Sequence, residues 1–356
     1  MKQYRGRRVS NTPEKSYLSM RDIARLADVS ASTVSRVINK SGYVSADNFE
    51  KVMRIIQQYD YVPNQTAKNL FANVSNYLAI FVFDMANPFF SSIVLHLNQI
   101  AFDNGYTLLI FDTGNQPQRE SEFFVRCQSI RVKGIILTEG VTSSLPVNHP
   151  YLRKSVVFFD RASPGPGYHA IRSDNKKGMR LAVDYLYNLN HRRIAFIGGP
   201  EKYYTAWERK EAFIEAMTAR GLECPQEHML IDNPFARASG RAAFNQLFSL
   251  RTVPTAAVCA NEQLAQGFIL AAQSRGVRVP DDISVIGFDG VDREGTYPTL
   301  TSIRQDTQEI ARLLFTAIAD DKQDTDKFEH IVDVDLTEGA SCRKIDIEGT
   351  PSPCIR

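Results

Sequence analysis

The sequence predicts an α/β protein, a two-lobed core of parallel sheets flanked by helices, preceded by a small all-α helix-turn-helix head. Three observations predict it. Beyond residue 76, short runs rich in β-branched and aromatic residues alternate with amphipathic stretches. The first seventy-odd residues show helix-like segments instead. Charge is also uneven: residues 1–76 hold 12 Lys/Arg against 6 Asp/Glu, the other 280 hold 30 against 34, and the whole chain sums to +2. A basic head on a slightly acidic body suits a nucleic-acid-binding module joined to something else.

Residues 1–17 carry Lys2, Arg5, Arg7, Arg8 and Lys15 without hydrophobic periodicity and read as a disordered basic arm, either solvated or phosphate-seeking. Residues 18–63 read as the helix-turn-helix domain. Ser19 can cap a first helix with Ile23, Leu26 and Ala27 on one face, which Asp28-Val29-Ser30 breaks. Ser30 can cap a second helix whose inward residues are Val34, Val37 and Ile38. Ala24 is small enough for the two to approach, and Val29 fills the turn. Ser45 can cap a third segment with Phe49, Val52, Met53, Ile56 and Tyr59 at helical spacing.

With Val34, Val37 and Ile38 turned inward, the second helix offers Ser30, Ala31, Ser32, Thr33, Ser35, Arg36 and Asn39 to a partner. Small side chains permit close approach to a major groove, hydroxyls reach phosphates or base edges, and arginine pairs with guanine in bidentate fashion. Residues 64–76 read as a hinge helix or linker. Asn64 can cap a helix running only to about Ala72, too short to stand alone, so it forms with support such as DNA and a partner copy. Asn64 and Lys68 are candidate DNA contacts, and Leu70 suits a wedge between base steps.

Residues 77–350 form the body. Its strand-like runs include "YLAIFVFD", "TLLIFDT", "KGIILT", "SVVFFD", "RRIAFIGG", "TAAVCAN" and "ISVIGFDG". Eleven or more elements exceed one open sheet, so two lobes with a cleft are expected, and ligands of such sheets bind beyond the strands' carboxyl ends. There the sequence places Asp84, "NPFF" (Asn87 to Phe90), Asp160, Arg161, "GGPEKYYTAWER" with Trp207 and Arg209, Asn261-Glu262, Asp289 and Gln305. Phe89, Phe90 and Trp207 can supply apolar faces, and Asp, Asn, Arg and Gln can supply directed hydrogen bonds to hydroxyls.

Chemistry of other kinds is missing from the sequence. It has no G-x-S-x-G elbow, Walker loop or H-E-x-x-H, and "IGGP" is too short for a dinucleotide fingerprint, so no enzyme is expected. His191 reads as a structural residue before a strand. The five cysteines show no zinc spacing, and neither metal nor cofactor is expected. With no secretory signal and no run of ~20 apolar residues, the protein is expected to be soluble, cytoplasmic and nucleoid-associated, off the membrane.

"MRDIARLADVSASTVSRVINKSGYVSADNFEKVMRIIQQYDYVPNQTAKNL", together with "NPFF", "SDNKKG", "HRRIAFIGGP", "VRVPDDISVIGFDG" and "LTSIRQD", resembles the lactose/galactose repressor (LacI/GalR) family of bacterial transcription factors over nearly the whole chain. The resemblance implies that the second helix reads the major groove and that Leu70 opens the central base step of a palindromic operator. It implies a core folded like the periplasmic sugar-binding proteins, with an N-lobe of about 77–174 and 306–332 and a C-lobe of about 175–305 and 333–350. By matching motif positions, Phe89, Asp160, Thr205, Arg209, Phe235, Asn261, Asp289 and Gln305 would contact an effector. The expected function is a repressor whose operator affinity answers to a small molecule, a sugar or sugar derivative, with a purine as the alternative.

Four residues at three sites depart from the family pattern. Asp28 stands where the family usually has glycine, and Asp tolerates a left-handed turn better than most residues. Asn48-Phe49 replaces a frequent Thr-Arg, at the expense of one phosphate contact, and Asn261-Glu262 replaces Asn-Asp. The ending "IDIEGTPSPCIR" lacks the leucine heptads of tetrameric members, so a homodimer is expected.

Overall fold

The computed structural model describes residues 18–62, 75–114, 116–138, 140, 156–161, 168–295, 297–319 and 329–346. The basic arm, the hinge positions Asn64, Lys68 and Leu70, and the C-terminal end fall outside them. The chain forms two compact units, residues 1–74 and 75–356.

In the first unit, α1 (Met20–Leu26) starts at a reciprocal cap: Ser19 Oγ accepts from the Asp22 amide and Asp22 Oδ2 accepts from the Ser19 amide. Asp28, at φ 52°, makes the turn in the left-handed region. Ser30 then caps α2 (Ala31–Asn39) by accepting from the Thr33 amide. Ser45 stands at the N-cap of α3 (Ala46–Gln58) without a side-chain bond. Ile23, Ala24, Ala27, Val34, Val37 and Val52 make the buried core, with Val29 and Ile38 packed against it. Leu26, Phe49 and Tyr59, which periodicity placed inside, are each more than 40% exposed. Three helices of 7, 9 and 13 residues enclose too little volume to take them in.

Among its described residues the second unit contains two six-stranded sheets. The first joins β1 (Tyr77–Val82), β2 (Thr107–Asp112), β3 (Gly134–Leu137), β4 (Val156–Phe159), β5 (His169–Ser173) and β11 (Glu329–Val332) in the order 11-5-4-3-1-2, all parallel. The second joins β6 (Ile194–Ile197), β7 (Met229–Leu230), β8 (Ala256–Cys259), β9 (Ser284–Asp289), β10 (Thr301–Gln305) and β12 (Val334–Thr337) in the order 12-10-9-8-6-7, with β12 alone antiparallel. Helices α4 (Pro88–Asp103) and α5 (Pro117–Ser129) belong to the first lobe. Helices α6 (Asn175–Asn188), α7 (Tyr204–Ala219), α8 (Arg237–Leu247) and α9 (Glu262–Ser274) belong to the second. Helix α10 (Thr307–Ala319) returns to the first lobe and packs on α4.

The chain passes between the sheets at Asp174, Asp306 and Asp333. In each sheet the strand order reverses beside the first strand in sequence, β1 or β6, and the crevice beyond such a reversal is where open α/β sheets take ligands. His191 is buried, bonded through Nδ1 to Thr255 Oγ1 and through Nε2 to the Arg343 carbonyl. It fastens the start of β6 to the segment that follows β12.

Candidate functional site

A cleft of about 420 Å³, open to solvent, lies beyond the carboxyl ends of both sheets. The first lobe lines it with Phe83, Asp84, Asn87, Phe89, Phe90 and Asp160. Asn87 caps α4 by accepting from the Phe89 amide, and Pro88 follows at the first helical position, so the two phenylalanines enter the helix at the cleft wall. Phe89 packs on Phe90 and Phe159 at ring-centroid distances of 5.4 and 6.1 Å. The second lobe contributes Thr205, Arg209, Phe235, Asn261 and Asp289. Gly199 makes room for Phe235, whose ring occupies the place a Cβ would take, 2.2 Å away.

Arg209 is fixed before any ligand arrives. Its Nε donates to Asn175 Oδ1 (2.7 Å), Nη1 donates to the Ala260 carbonyl (2.6 Å), and the guanidinium lies 3.8 Å over the Phe288 ring. Asp289 Oδ1 is 3.8 Å from Nη1 and accepts from Gln305 Nε2 (2.8 Å). Asp289 sits at φ 109°, a backbone conformation that L-residues rarely adopt, at the point where the carboxylate must turn toward Arg209. Asn261 caps α9 through its side-chain oxygen, which leaves its amide nitrogen as the group it can offer a ligand.

Burial pushes the Asp160 carboxyl up to about 6, opposed by Arg209 and by the Ser173 amide that donates to it. Burial likewise holds Asp289 well above the ordinary range against the pull of Arg209. Both buried carboxyls feel the charge of the one Arg209 guanidinium, so the cleft sets carboxyl groups beside a fixed cation.

On α2 the outer face carries Ser30, Ala31, Ser32, Arg36 and Asn39 exposed, with Thr33 and Ser35 half-buried. The Ser30 hydroxyl lies 2.7 Å from that of Ser32 and 2.9 Å from that of Thr33, and Asn39 Nδ2 donates to the Ser35 carbonyl and hydroxyl. These short-range bonds tie the hydroxyl and amide groups of this face to one another, while Arg36 stands exposed on the same helix.

Two family profiles match the sequence: bacterial regulatory proteins of the lacI family over residues 19–64, and a periplasmic binding protein-like domain over 183–342. The HTH-type transcriptional repressor PurR of Pasteurella multocida is 31% identical over 290 residues, 81% of this chain and 86% of that protein. The chain belongs to the LacI/GalR family. Another relative, the repressor CytR of Escherichia coli K12, is 29% identical over 87% of this chain and 91% of its own. Among solved structures, the lac repressor dimer bound to operator and the anti-inducer ONPF superposes with a TM-score of 0.80 at 25% identity, covering 92% of this chain and all of that one. The CelR–cellobiose complex gives 0.64 at 27% identity, covering 91% and 99%.

As a LacI/GalR-family protein, the chain is a DNA-binding transcriptional repressor with a body that binds a small-molecule effector. Among its described residues no helix is long and apolar enough to cross a membrane.

Three positions named from the sequence do not line the cleft. Arg161 is 1% exposed and donates through both terminal nitrogens to Glu120 of α5 (2.9 and 3.1 Å). Asp160, at φ 48°, turns the backbone so that successive side chains diverge. Trp207 is 47% exposed and packs on Tyr204, because a residue two places from Arg209 on α7 faces nearly the opposite way. Gln305 does not line the cleft and bonds Asp289 from behind.

Phe83 lines the cleft although the sequence did not single it out; it adjoins Asp84, which was named, and Asn87 of the "NPFF" segment lines it too. Behind Arg209 lies a network equally unseen in the sequence. Glu208 accepts from Asn175 Nδ2, Tyr204 OH and Arg172 Nη1, and Arg172, on β5 of the first lobe, also bonds Tyr204 and Glu329. Glu262, the family departure, accepts from the Val291 and Asp292 amides and so braces the loop after β9.

Proposed function

We propose that this chain represses from a palindromic operator as a homodimer, with its affinity set by a sugar or sugar derivative held in the cleft. One observation carries the sugar assignment: acceptors and a fixed guanidinium surround a space walled by phenylalanines, the pairing that suits rings bearing hydroxyls on their edges. The CelR–cellobiose complex, in the same fold, supports it. For the dimer, α4 and β2 expose Leu95 (69%), Phe102 (74%) and Ile110 (45%), apolar side chains that a partner copy would cover. Ser30, Ala31, Ser32, Thr33, Ser35, Arg36 and Asn39 meet the major groove, Asn64, Lys68 and Leu70 the minor groove, and the body works in the cytoplasm.

The effector is tested by titrating a panel of mono- and disaccharides, purine bases and nucleosides against the emission of Trp207, the chain's one tryptophan, which shares α7 with Thr205 and Arg209. A saturable response to a sugar supports the reading, and a response confined to purines overturns it. The operator is obtained by selecting duplexes from a random library. A palindromic consensus is expected, with Arg36→Ala weakening it by about 1–3 kcal/mol and relaxing one base position. Enrichment of no consensus overturns the sequence-reading role of α2.

A further inference from the structure

Helix α5 is tied at both ends. In its first turn Glu120, 7% exposed, holds Arg161 in a two-point ion pair, and Arg161 follows Asp160 of the cleft. Because Asp160 lies at φ 48°, its own side chain meets the Ser173 amide and the cleft while the next one reaches α5. At the far end Arg131, at φ 53°, stands just past the helix with its carbonyl turned back. That carbonyl accepts both the amide (3.2 Å) and the hydroxyl (2.7 Å) of Ser75. Ser75 is 1% exposed and is the first residue of the body, directly after the segment that joins it to the DNA-binding head.

Phe124 and Cys127 clamp the middle of α5 to the sheet core, so the helix moves as one piece. Thirteen residues at 1.5 Å each span about 20 Å. We propose that α5 is a strut between the effector cleft and the entry of the chain from the head, with Glu120 and Ser75 as positioning residues at its two ends. A shift of the Asp160 turn is passed by the buried pair to α5 and by the Arg131 carbonyl to Ser75. The inference rests on the effector-controlled operator binding proposed above and names the route by which the two sites sense each other.

Coupling of this kind is reciprocal, so it can be read from the DNA side alone. The probe is the duplex obtained by selection, added to the full chain, and the readout is hydrogen exchange at the Ser173 amide, which is bonded to Asp160. In the wild type, saturation with duplex is expected to change that exchange about fivefold or more, the low end of ordinary allosteric coupling. In Glu120→Gln and in Ser75→Ala the change should fall below about twofold while duplex affinity stays within about threefold. Ser75→Ala leaves the buried ion pair untouched, so it serves even if Glu120→Gln fails to fold. A merely structural role for the pair would lower stability and leave the duplex-dependent change intact. Retention of the full change in either folded variant, or its lack in a wild type that binds duplex, overturns the strut. A wild type that binds no duplex overturns the reading beneath it instead.

Discussion

The two walls of the cleft are built on different terms. The first lobe offers three ring faces, Phe83, Phe89 and Phe90, beside Asp84, Asn87 and one buried carboxyl, Asp160. The second lobe offers a polar constellation in which Arg209 is anchored by Asn175, Ala260 and Phe288, all of its own lobe. The anchored cation is thus built into one rigid body, and most of the ring faces, which tolerate sliding, into the other. The second lobe is expected to set which ligand binds, and the first to set how tightly it is enclosed.

The sharpest break in that comparison is Arg209→Met. It removes the guanidinium shared by two buried carboxyls, and effector affinity should drop at least a hundredfold, about 3 kcal/mol or more, by calorimetric titration with the compound found in the panel. A drop under tenfold would put recognition elsewhere.

Asp160 comes next. Its folded value of about 6 lies above the 3.8 of an unburied carboxyl, so between those pH values the folded chain binds more proton than the unfolded one. Stability therefore falls as pH rises from about 4 to about 6 and stays level above. Asp160→Asn should raise stability by up to about 3 kcal/mol at pH 7, with the gap closing below pH 6 in chemical denaturation. Where the effector donates to the ionised carboxyl, wild-type affinity should weaken about tenfold per pH unit below 6, and the Asn variant should lose that dependence.

Phe89→Leu, on the apolar wall, should cost about 1 kcal/mol of effector affinity and leave selectivity among sugars unchanged. Trp207→Phe should change affinity less than about twofold by calorimetry, since the ring faces away from the cleft. A larger loss would return Trp207 to the site.

Much of this was legible in the sequence because strand-end rules act on single positions. β-Branched runs marked the strands, and the residues just after them supplied most of the cleft, Asp84, Phe89, Asp160, Asn261 and Asp289 included. Thr205 and Arg209, four apart on α7, share a face, whereas Trp207 between them cannot; helical spacing alone separates them. Arg161 could not be settled that way, since its direction depends on the left-handed turn at Asp160 and on a carboxylate 41 residues earlier. The Arg172–Glu208 contact joins two lobes and left no local trace. In the head, periodicity gave the helices but overfilled their core with Leu26, Phe49 and Tyr59.

A single residue, Asp333, separates β11 of the first sheet from β12 of the second. On a ribosome this sets an order of events. The first lobe lacks α10 until residue 319 is made and its edge strand until residue 332, after all the helices of the second lobe and all its strands but β12 have emerged. A nascent chain must therefore hold the apolar face of α4 without α10 while the other half is synthesised, and any chain cut short in that interval exposes that face to chaperones and proteases.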